Sequence, residues 1–220
     1  MQLVASYVYS TRARVLFCCM ALGLGGCAQL QPQPRATVYD FGPGTTAVAP
    51  ANRMAQRSAL VLSDVEASAA LDSTAVLYRL AYSDAQQLRP YAHARWSMSP
   101  SQLLRQRLRE QLSLHRPVLN AAQGVVVGKP AMNLHLDLDE FSHLFDSAQQ
   151  SSGLVRVRAT LGQGGEGVER LLAQRSFVVQ RPATSADAPG GVRALTQATD
   201  ALIEEIALWL QQVEQAQGLK

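Results

Sequence analysis

A short apolar run from Val15 to Leu24 closes on Gly25-Gly26-Cys27, with Arg12 and Arg14 upstream of it. A positive flank, a brief apolar stretch and small residues at its end are the layout of an export leader. The run is too short to cross a bilayer, which takes about 20 apolar residues. The three cysteines stand at positions 18, 19 and 27, so the chain beyond Cys27 holds none. In an oxidising compartment such a chain has no disulfide to lean on, and core packing must supply its stability. It also has no cysteine to serve as nucleophile or metal ligand.

A cysteine directly after a small pair is the pattern of a bacterial lipoprotein signal, in which Cys27 becomes the acylated first residue. Plain secretion, with a small-x-small cut at Gly26-Cys27-Ala28, competes with it. One acyl chain binds a membrane marginally and two or more bind firmly, so a lipidated Cys27 would keep the protein on its membrane. The chain therefore divides into a signal at 1–26, an acylated N-terminus and Pro/Gln-rich tether at 27–57, and one domain at 58–215. Pro32, Pro34, Pro43 and Pro50 argue against helix or central strand in the tether. Its one apolar island, Val38 to Pro43, is a candidate edge strand or docking segment.

Of the 20 Lys+Arg, Arg12 and Arg14 fall in the leader, which leaves 18 against 17 Asp+Glu. That balance, with no basic stripe, gives no reason to expect nucleic acid. The spacing predicts strands at Ala59–Val65, Thr74–Tyr82 and Gln86–Trp96, the last broken early by Pro90. Ser99-Pro100-Ser101-Gln102 forms a capping box with proline at the first helical position, and Leu103, Leu104, Leu108 and Leu112 follow at helical spacing until Pro117. Met132–Phe141 alternates, with Leu134, Leu136 and Leu138 on one side and Asn133, His135, Asp137 and Asp139 on the other. Leu154–Leu161 completes a hairpin whose acids and arginines would pair across the wet face, and Leu171–Gln180 adds a last strand. A helix from about Pro189 or Gly191 to Gln215 carries a wide apolar stripe from Leu195 to Val213. The expected fold is α/β of the α+β type: a single domain with an antiparallel or mixed sheet and two amphipathic helices packed on it.

Motifs with chemical meaning are few. Gly162 to Gly167 matches G-x-G-x-x-G, but a dinucleotide site needs a helix after it and Leu171–Gln180 reads as strand, so it is taken as a hairpin turn. His135, Asp137 and Asp139 share a strand face with about 7 Å between neighbours, too far apart to converge on a metal without other elements; no metal site and no cofactor is expected. No G-x-S-x-G elbow and no H-E-x-x-H occurs, so a periplasmic hydrolase has nothing to recommend it. The chain is read as a non-enzyme.

Tyr39 to Pro43, Leu77-Tyr78-Arg79-Leu80-Ala81-Tyr82-Ser83-Asp84 and Tyr91-Ala92-His93-Ala94-Arg95-Trp96 stand in that order ahead of Pro100. Together with Leu136–Asp146, which follows an L-x-L-x-E-F-x-x-x-F strand, and a long final helix with Trp209, they resemble the ABC-type transport auxiliary lipoproteins, a PqiC-like family. Ser99-Pro100 departs from the two prolines expected there. The resemblance implies a lipoprotein facing the periplasm of a Gram-negative bacterium and working with an MCE-domain protein (mammalian cell entry) and, through it, an ABC permease and ATPase that move lipid between membranes. Ala28 after the cysteine, in place of Asp, implies the outer membrane. Tyr78, Arg79, Tyr91, Arg95 and Trp96 are the candidate partner surface, because aromatics and arginine dominate interface hot spots; a core role competes for the aromatics. Self-association is left open. The rival reading is a stand-alone lipid-binding or envelope-assembly lipoprotein with a pocket between sheet and final helix.

Overall fold

The computed structural model describes residues 35–44, 58–120, 122, 132–164 and 170–218. Eight strands form one sheet: β1 (Thr37–Tyr39), β2 (Leu60–Ala67), β3 (Ala75–Leu80), β4 (Ala85–Trp96), β5 (Val118–Leu119), β6 (Met132–Phe145), β7 (Ser151–Gln163) and β8 (Arg170–Pro182). The helices are a single turn, α1 (Ala81–Asp84), then α2 (Pro100–Ser113) and α3 (Ala188–Ala216). Long β6 organises the sheet. Antiparallel β7 lies along one of its edges, with β8 beyond. The other edge is shared: β2 runs parallel to Met132–Leu138, and β3 runs parallel to His143–Phe145. β5 continues outward from β2, and β4 and β1 continue from β3. The sheet is mixed, and both long helices cover the same face.

That face is set by alternation and by two bulges. Leu134, Leu136 and Leu138 of β6 and Val155, Val157, Ala159 and Leu161 of β7 are all buried. Leu138 pairs with Val157 but Glu140 pairs with Arg156, so Asp139 is an extra residue in β6. A one-residue insertion reverses which side each following residue faces. Phe141, His143 and Phe145 therefore join the core, and the strand runs to Phe145, four residues past its predicted end. A similar shift between Leu62 and Val65 of β2 keeps Leu60, Leu62, Val65 and Ala67 opposite Met132, Leu134, Leu136 and Leu138 of β6. In β4, Pro90 does not end the strand. The ladder to β3 slips just after it, between the Leu77–Pro90 and Ala75–Arg95 pairs, which is where a residue without an N–H is tolerated.

Both helices begin as their residues dictate. Ser99 and Gln102 form the capping box of α2, with the Ser99 N–H donating to Gln102 Oε1 at 3.3 Å. Asp187 caps α3 by accepting the Gly190 N–H at 2.8 Å, and Pro189 sits in the first turn. The stripe Leu195, Ala198, Leu202, Ile203, Ile206, Trp209 and Leu210 is buried as predicted. Two glycines let α3 lie unusually close to the sheet. A Cβ on Gly153 of β7 would stand 2.4 Å from the Leu195 nitrogen, and one on Gly191 would stand 2.3 Å from His143 Nδ1. Two ion pairs fix α2 and its following turn to α3: Arg107 grips both oxygens of Asp200 at 2.8 and 3.2 Å, and Arg116 pairs with Glu214.

Candidate functional site

The island ahead of the domain is part of the sheet. Thr37–Tyr39 pairs in parallel with Ala94–Trp96, and Phe41 is buried against Trp96 and Phe141 with ring centroids 5.6 and 6.1 Å away. Gly42, at φ 68°, turns the chain out again, its N–H held by Asp40 Oδ1 at 2.8 Å.

The five candidate partner residues do not form one patch. Trp96 is 2% exposed and packs edge-on to Phe41 and Phe141; it is core, and the surface role assigned to it from sequence does not hold there. Arg79 and Arg95 are partly exposed but occupied. Arg79 forms a two-pronged pair with Glu140 at 3.2 and 3.0 Å and donates to the carbonyls of Ala85 and Gln86, so it ties β6 to the start of β4. Arg95 donates to the carbonyls of Tyr91 and Ala94, bracing the irregular stretch of β4.

Tyr78 and Tyr91 belong to a third group, on the helix side of the sheet. Their rings lie 4.7 Å apart, and the Tyr91 hydroxyl meets His143 Nδ1 at 2.8 Å. His143 has no exposed surface and lies beneath Gly191, beside Phe145 at 4.3 Å. Burial pushes its pKa down to about 4, only partly opposed by Asp187, so the ring is neutral near pH 7. Burial also raises the Tyr91 phenol, helped by Tyr78 and then Asp187, and keeps it protonated. A protonated phenol can donate to Nδ1 or accept from it, so the contact suits either tautomer of the neutral ring. Nε2 makes no hydrogen bond among the described residues. A neutral histidine closed off from solvent by helix backbone can fix geometry but has no substrate to act on. The alternating run predicted from sequence, Met132–Phe141, stops short of His143; the consecutive Gly190-Gly191 at the head of an apolar helix was the available sign that something large lay beneath.

The acids and arginines of the hairpin face solvent. Asp137 stands opposite Arg158, and Arg158 reaches Asp139 at 3.6 Å. A groove of about 510 Å³ opens between α2 and the β2–β3 connection. Asp64, Asp72, Arg105 and Arg109 mix both charges along it; Arg105 is held by Asp64 at 3.2 Å and by the Ser63 carbonyl, and the Ser101 hydroxyl donates to Asp72. No group of three His, Cys, Asp or Glu among the described residues is arranged to hold a metal. The G-x-G-x-x-G stretch begins at the end of β7, and its later glycines, like Cys27, lie outside the described residues. Among the described residues no helix is long and apolar enough to cross a membrane.

The described residues form a mixed sheet covered on one face by two long helices. The family described as ABC-type transport auxiliary lipoprotein component matches residues 39–207, and the chain belongs to it. That is a family of transport components and not of enzymes. No curated protein matches the chain. Among solved structures, protein XCC0632 from Xanthomonas campestris is similar in fold, with a TM-score of 0.68 at 20% identity over 83% of this chain and 99% of that one. An uncharacterized protein follows at 0.58 and 17%, covering 80% and 99%.

Proposed function

We propose that the protein is the lipid-anchored docking component of an ABC-driven system that moves lipid between the inner and outer membranes. Acylated Cys27 holds it on the periplasmic side of the outer membrane, the tether gives it reach, and the domain receives the MCE-domain protein of the transporter. The family match over residues 39–207 carries this reading. The packing of α3 supports it over a stand-alone lipid carrier: Leu195, Ala198 and Leu202 are fully buried, and α3 backbone touches the sheet at Gly153. That seam has no width for an acyl chain.

Cys27→Ser tests the anchor. It should abolish acyl labelling and release the protein from membranes, and an unchanged membrane fraction would refute it. Co-purification tests the docking: the membrane-extracted protein should bring down an MCE-domain protein and carry no stoichiometric lipid. A tightly held lipid without an MCE partner would favour the carrier.

A further inference from the structure

An antiparallel ladder leaves every second residue of its outer strand with its backbone groups turned away from the partner. In β8 those residues can be named. The Ala183 N–H donates to the Ser151 carbonyl at 2.8 Å, and the register continues without a slip from the Ser152–Pro182 pair to the Leu161–Ala173 pair. The odd-numbered residues from Ala173 to Arg181 therefore bond to β7, while Gln174, Ser176, Val178 and Gln180 turn their N–H and C=O groups outward. The Gln180 carbonyl agrees, since it accepts Arg181 Nη1 at 3.2 Å. Among the described residues no strand pairs with that side of β8.

Other strands at the margins of the sheet are blunted and this one is not. An exposed strand edge invites pairing, and short strands, bulges and proline are the usual means of preventing it. β1 and β5 are three and two residues long. β4 is open ahead of Ala94 but carries Pro90 and the ladder slip beside it. β2 is open after Val61 but is bulged between Leu62 and Val65, and Arg105 occupies the Ser63 carbonyl. Between Ala173 and Arg181, β8 has no proline and no bulge, and Val178 at its centre is 56% exposed.

Charge selects what can pair there. Arg156 and Arg158 of β7 and Arg170, Arg175 and Arg181 of β8 are exposed, and neither strand contains an acid. Asp139 meets Arg158; the other four have no carboxylate partner among the described residues. Arg175 lies over the Phe177 ring, 4.9 Å from its centroid. Pairing β8 with β8 of a second copy would set arginine against arginine, which like charges oppose. A strand bearing Asp or Glu would instead bring carboxylates to unpaired guanidinium groups, where charge-assisted bonds are strong. Lipid phosphates would meet the arginines but cannot form a ladder along the edge, so a peptide is the better fit.

We propose that the free edge of β8 takes up an extended, acid-bearing segment of the transport partner as an added strand, with carboxylates against Arg175 and Arg181 and an apolar side chain against Val178. This names the docking surface of the function proposed above and rests on that reading. The test uses the full-length protein extracted from membranes. Val178→Pro removes an outward N–H without taking a bond from the β7 ladder, and Arg175→Glu combined with Arg181→Glu reverses the charge of the edge. Each variant should lower co-purification of the MCE-domain protein several-fold while its thermal midpoint stays near that of the parent. A photo-crosslinking benzoylphenylalanine in place of Val178 should give an adduct with the same MCE-domain protein, and this readout holds even where a variant fails to fold. Undiminished co-purification by the folded variants overturns the β8 edge. So does the lack of an adduct, or an adduct with lipid, with a second copy or with another part of the same chain. If the parent protein brings down no MCE-domain protein, the docking reading fails and the edge assignment falls with it; if the parent does and the variants do too, the edge assignment alone is wrong.

Discussion

His143 shows how one residue can make stability depend on pH. Its native pKa of about 4 lies below the ordinary 6.5 because charging the ring in a closed, apolar site is unfavourable. Between those values the unfolded chain binds a proton that the folded chain refuses, so stability is intact above about pH 6.5 and falls as pH drops toward 4. The full loss amounts to about 3 kcal/mol. Chemical denaturation across that range should show the slope in the native protein and lose it in His143→Phe. At the same contact, Gly191→Ala places a methyl group on the imidazole and Gly153→Ala places one on helix backbone. Each should destabilise by about 1–3 kcal/mol, the usual cost of overpacking a filled core.

At the scale of the element, β6 is held in place by its neighbours as much as by its own pattern. Arg79 spans from β3 to Glu140, just past the Asp139 bulge, and both side chains are mostly buried, at 20% and 13% exposure. Removing one partner strands the other, whereas removing both leaves no unpaired charge. Arg79→Ala should therefore cost about 2–3 kcal/mol, and a double-mutant cycle with Glu140→Ala should return a coupling of about 1–3 kcal/mol. Helix α2 depends more on local chemistry. Ser99→Ala removes its capping box and should cost about 1 kcal/mol, read as a lower thermal midpoint with an unchanged circular dichroism spectrum at 20–25 °C.

Over the whole molecule, the segment from Thr37 to Phe41 is part of the fold. Phe41 fills the space between Trp96 and Phe141, and β1 covers the outer edge of β4. Phe41→Ala should cost about 3 kcal/mol through the cavity it leaves. A chain beginning at Ser58 should lose more, because it also uncovers that edge; thermal melts of the two variants would rank them. Residues Thr37 to Phe41 are thereby tied to the sheet and its core.

Much of this was legible from local pattern. The capping box at Ser99, the alternation of Leu134 to Leu138 and the stripe from Leu195 to Leu210 depend on residues a few positions apart, and short-range periodicity reports such residues faithfully. The order of the family's soft motifs likewise pointed to the right family. What alternation could not carry past Asp139 was the side each later residue faces, since a bulge is defined by the partner strand and not by its own residues. Trp96, Tyr91 and Arg79 look alike in sequence, as aromatics and arginines on neighbouring strands. Burial by Phe41, a bond to a histidine 52 residues away and a carboxylate 61 residues away separate them into core, end cluster and brace. The sequence by itself determined the elements and the one-sided core, because each is written in spacing along the chain. Only the tertiary structure decided which side chains remained free to meet a partner, because that depends on contacts between residues far apart in sequence.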